Sequence, residues 1–85
     1  MLINFEDIIK EIYFQIQNVL NRGLQPYYLL MSEEVYTAMR MEICRENSLF
    51  PTESRFDFFD GLEVVHMKDI EINYIEVRGI NVYAI

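Results

Sequence analysis

His66 is the single histidine of this 85-residue chain and Cys44 its single cysteine, so imidazole and thiol chemistry each have one possible starting point. A metal site on His66 would draw on Glu63 and Asp69, its neighbours in sequence. The spacing opposes it. In a strand, positions 63 and 66 point to opposite faces, and one nitrogen ligand falls short of the sets that hold zinc. A thiol nucleophile at Cys44 needs a base beside it, and the available base, His66, belongs to a different element. The expected role of Cys44 is a small apolar side chain buried on a helix.

Carboxylates are plentiful, with Glu33 beside Glu34 and Asp57 near Asp60. Acid–base work between carboxylates needs a cleft that drives their pKa values apart. Glu33 and Glu34 instead suit the positive end of a helix dipole. Gly23, Gly61 and Gly79 are isolated, each where a turn is expected, and form no phosphate-cradling loop. The expectation is a chain with no catalytic residues, no metal and no cofactor. The alternative is a small enzyme using His66 or Cys44, which requires a pocket joining one of them to carboxylates.

Charge narrows the partners. Seven Lys and Arg face 14 Asp and Glu, for a net charge of -7, which repels phosphate backbones and anionic lipid head groups, so neither a nucleic acid nor a membrane is expected as partner. The opening MLINFEDIIKEIYF lacks the basic region and small-residue cleavage site of a secretory signal, and charges interrupt every apolar run before the ~18 residues of a membrane span. With no disulfide framework either, a cytoplasmic location is expected. An alternative use of the acidity is imitation of DNA, as an inhibitor of a nucleic-acid-handling enzyme, through Glu6, Asp7, Glu33, Glu34, Asp57, Asp60, Glu63 and Glu71.

The elements that must position these groups follow from periodicity. Phe5, Ile8, Ile9, Ile12, Ile16, Val19 and Leu20 share one helical face. Asn4 as N-cap, Glu6 and Asp7 in the first turn, and Arg22 with Gly23 at the end predict helix 1 over residues 4–22. Pro26 opens the apolar run 27–31, predicted as a strand covered on both faces. Ser32 caps helix 2, on which Val35, Met39 and Ile43 repeat to about residue 47. Residues 48–61 predict a long ordered loop. Strands are predicted at 62–67, 71–77 and 80–85, with turns at Lys68-Asp69 and Arg78-Gly79. The apolar phase changes between Ile70/Ile72 and Ile75/Val77, which predicts either a bulge near Asn73-Tyr74 or a strand covered on both faces. The fold class is a single α+β domain over residues 1–85. Its order is α-β-α-β-β-β, with two helices on one face of a mostly antiparallel four-stranded sheet that ends in a meander.

Residues of the types AVILMFWYC make up 52% of the chain, including six Tyr and six Phe. A domain this short buries only about 60–65% of the surface its unfolded chain exposes, so part of that apolar material is expected to meet a partner. Phe56, Phe58 and Phe59 lie within four positions of a polar loop, where exposure is costly. Either the loop folds back onto the core, or these rings anchor a neighbouring subunit. With Tyr74 and Tyr83 they form the candidate partner interface, and a homo-oligomer is the expected assembly.

The run Pro26-Tyr-Tyr-Leu-Leu-Met-Ser-Glu-Glu-Val-Tyr36, followed by Phe59-Asp-Gly-Leu-Glu-Val-Val65, resembles a segment of coat-type proteins of tailed bacteriophages. There a strand ends in a Ser-capped helix and a glycine-led strand follows. The resemblance covers residues 26–65, about half the chain. It implies a small phage or prophage accessory protein whose task is assembly, and it transfers no site residue because the shared pattern is structural.

Overall fold

The computed structural model describes residues 4–47 and 57–81. Helix α1, Phe5–Asn21, begins where the Asn4 carboxamide accepts the Glu6 N–H at 2.8 Å. It ends at Arg22, after which Gly23 takes φ +78°. Strand β1, Gln25–Ser32, runs directly into α2, Glu33–Asn47. Ser32 makes this sharp passage possible. Its Oγ accepts the Val35 N–H at 3.1 Å and donates to the Ile72 carbonyl at 2.6 Å, so one fully buried hydroxyl caps α2 and ties it to the approach to the last strand.

Three strands follow: β2 (Phe58–Phe59), β3 (Leu62–Met67) and β4 (Ile75–Ile80). The β2–β3 hairpin turns on Asp60 and Gly61, at φ +50° and +80°, as a two-residue turn with both central residues left-handed requires. The sheet order is β2-β3-β1-β4. Residues Ile8, Ile12 and Val19 of α1 and Val35 and Met39 of α2 pack on Leu29, Met31, Leu62 and Val77 of the sheet, making a two-layer α+β core.

Several sequence expectations need correction. The α+β class and its mostly antiparallel four-stranded sheet stand, but β1 pairs parallel with β3 and antiparallel with β4, so β3 and β4 never meet and the expected meander is absent. The cause is α2, which supplies the crossover that a parallel pair requires. β4 passes straight through Arg78-Gly79, where a hairpin was expected. Of the expected strand 71–77, only 75–77 belong to β4. Ile72 and Asn73 instead form a turn, closed by the Tyr74 N–H on the Glu71 carbonyl at 3.0 Å, and this turn produces the phase change. The register shift lies between Pro26 and Tyr28. In β1, Leu29 and Met31 are buried while Tyr28 and Leu30 are half-buried, so the strand is not covered on both faces. Residues 48–56 of the expected loop and 82–85 of the expected last strand lie outside the described residues.

Candidate functional site

Strand alternation divides the sheet into an inner face, under the helices, and an outer face. On the outer face the register aligns two rows across three strands. Glu63, Tyr28 and Arg78 form one, and Val65, Leu30 and Glu76 the next. Phe58 extends the first row on β2, opposite Glu63. Phe58 is 68% exposed, Tyr27 44%, Val65 38% and Ile80 36%, an apolar set reaching across all four strands. The register shift brings the rings of Tyr27 and Tyr28 edge to face at 4.6 Å, a contact that neighbours in a regular strand cannot make.

Polar order on this face comes from β4. The Tyr74 hydroxyl donates to the Glu76 carboxylate, and the Arg78 guanidinium reaches the same carboxylate at 3.2 Å. The bond from Tyr74, ahead of an opposing effect of burial and a further contribution from Arg78, holds the Glu76 carboxyl below its ordinary range. The same bond raises the Tyr74 phenol.

The pleat separates the expected interface residues. Phe58 is on the outer face, whereas Phe59 turns inward against the core, its ring 6.5 Å from that of Tyr13. Tyr74 joins the outer network, while Phe56 and Tyr83 lie outside the described residues. Tyr27, Val65 and Ile80 were missed as interface candidates, although the alternation of β3 and β4 carries the signal for two of them.

A second feature sits where α2 crosses the end of β3. Glu33, Tyr36, Thr37 and Arg40 follow one another at helical spacing and line a recess of about 260 Å³ with His66. The imidazole stacks on the Tyr36 ring at 4.4 Å and 24°, and its Nδ1 stands 3.9 Å from Glu33 Oε1. The Arg40 guanidinium carbon lies 6.0 Å from the Tyr36 ring centre, and Arg40 Nε has no hydrogen-bond partner among the described residues. Among the described residues the carboxylate that His66 approaches is therefore Glu33, not Glu63 or Asp69. Among the described residues no group of three or more His, Cys, Asp and Glu is placed to hold a metal ion. Cys44 lies on α2, and the expectation of its burial lies outside the described residues.

No family model, curated protein or solved structure matches this chain.

The carboxylates considered for DNA imitation fall on separate parts of the fold. Glu6 and Asp7 open α1, Glu33 and Glu34 open α2, Asp57 and Asp60 flank β2, Glu63 is on the outer face and Glu71 precedes the turn into β4. Among the described residues no helix is long and apolar enough to cross a membrane.

Proposed function

We propose that this chain is a non-enzymatic, cytoplasmic interaction or assembly protein that works through the outer face of its sheet, in the manner of a small phage or prophage accessory protein. One observation carries the reading: Phe58, Tyr27, Val65 and Ile80 expose apolar surface across four adjacent strands. Apolar surface exposed in this way is costly in water and is repaid by contact with another protein. A photo-crosslinking amino acid placed at Phe58 or Val65, in cells that make the chain, tests it. Protein adducts are expected from these positions and not from Lys10, which is exposed on α1. Adducts absent at both outer-face positions would overturn the proposal.

The recess favours a second reading, a small enzyme using His66. Nδ1 at 3.9 Å from Glu33 is within the range that substrate binding closes into an acid–base pair. The Arg40 guanidinium, whose Nε lacks an acceptor among the described residues, would bind an anionic group. Titration with inorganic phosphate, followed by NMR, should then move the Arg40 Nε–H and His66 ring signals, and His66→Ala should weaken the response. Unmoved signals at millimolar phosphate would remove this reading.

A further inference from the structure

We infer that the partner on the outer face is a second copy of this chain, packed face to face across a two-fold axis parallel to β1; the inference rests on the contact reading above.

Association along the sheet edges is partly hindered. β4 is an edge strand, and two of the groups it turns away from β1 are occupied: Gln15 Nε2 donates to the Ile75 carbonyl at 2.9 Å and Gln15 Oε1 accepts the Val77 N–H at 2.7 Å. At the opposite edge β2 has only two residues, too few to template a long added strand.

The three strands β3, β1 and β4 are also self-complementary, while β2 with Phe58 lies beyond the partner's β4. Across the first row, Glu63 on β3 and Arg78 on β4 flank Tyr28 on the central strand. A two-fold axis along β1 exchanges the β3 side of one copy with the β4 side of the other. Glu63 of each copy then meets Arg78 of the other, Tyr28 meets Tyr28 and Leu30 meets Leu30. Val65 meets Glu76, whose carboxylate is already satisfied by Tyr74 and Arg78. Two sheets packed in this way stand about 10 Å apart with nearly aligned strands, the usual geometry of a β-sandwich. Each copy carries a net charge of -7, but physiological salt screens charges separated by more than about 8 Å, so the contact pairs outweigh the distant repulsion.

Sedimentation equilibrium of the purified chain at micromolar concentration provides the test. The unmodified chain is expected to dimerise. Glu63→Arg alone sets cation against cation and Arg78→Glu alone sets anion against anion, so each variant should dissociate at least about tenfold more readily. An equimolar mixture of the two variants should regain the dimer, because each then presents the charge the other lacks. Both positions are exposed, and matching circular dichroism will verify that both variants fold. A wild-type chain that stays monomeric, variants that dimerise as well as the wild type, or a mixture that fails to pair would each overturn the inference. Outer-face crosslinks to a different protein would remove the second copy and leave the contact reading standing, whereas no crosslinks would remove both.

Discussion

Gln15→Leu is expected to lower the unfolding free energy by about 3 kcal/mol, because two backbone groups lose their partner and a nearly isosteric apolar side chain keeps water from replacing it. The Gln15 amide stands in for a neighbouring strand. It donates to the Ile75 carbonyl and accepts the Val77 N–H, two of the groups that a further β-strand would use, and its remaining N–H binds Glu11 Oε2 at 2.7 Å. One side chain thus closes the β4 edge and locks α1 onto it. Urea unfolding measures the loss, and a change below about 0.5 kcal/mol, the range of ordinary surface substitutions, would show that the edge is not held in this way.

Gln15→Glu tests the same bond through pH. A carboxylate still accepts the Val77 N–H, but it cannot donate to the Ile75 carbonyl and it is repelled by Glu11. These effects raise its folded-state pKa above the unfolded value. A group with a raised folded pKa contributes its stability below the unfolded pKa and loses it as pH rises through the folded one. The deficit of Gln15→Glu relative to wild type should therefore be small in acid, where the protonated acid donates as the amide does, and grow toward neutrality. A deficit that stays constant between these limits would mean that the Ile75 contact contributes nothing.

What was legible in the sequence is what local physics decides. Helix α1 was readable from end to end because its apolar period, the Asn4 cap and Gly23 all specify the same element. The Ser32 cap marked the start of α2 for the same reason, although its second bond, to Ile72 forty residues away, could not be seen. Asp60-Gly61 is a strong hairpin signal, yet with only two residues on its N-terminal side in strand it was submerged in an expected loop. The placement of β1 in the middle of the sheet depends on where α2 returns the chain, which no local pattern encodes. The same holds for the recess. Glu33, Tyr36 and Arg40 carry helical spacing, but His66 comes beside them only through the parallel pairing of Met31 with His66. Nothing local marks Gln15, because its partners are sixty and more positions away.

Gly79 shows how one residue type can carry two meanings, and the second leads to a testable loss. In sequence it reads as a turn glycine, yet in the fold it sits within β4 opposite Pro26, and a Cβ built there would stand 2.5 Å from Val19 Cγ1, 2.9 Å from Leu24 Cβ and 3.2 Å from the Gln25 carbonyl oxygen. The demand on this position is closeness: the end of α1 and the segment leaving it press on the strand where a side chain would be. Gly79→Ala is therefore expected to destabilise the fold by about 2–3 kcal/mol, the range of overpacked cores, although alanine ordinarily suits a strand better than glycine. Val19 is buried and Leu24 presents a Cβ fixed to the backbone, so neither withdraws freely. Trimming the first of these obstacles should matter. In the background of Val19→Ala, which itself creates a cavity, Gly79→Ala should cost less than it does alone, with a favourable coupling of about 1 kcal/mol in a double-mutant cycle read by urea unfolding. Strict additivity of the two changes would show that the helix and the strand do not meet at this point, and an alanine at 79 that stabilises the protein would show that the contact does not exist.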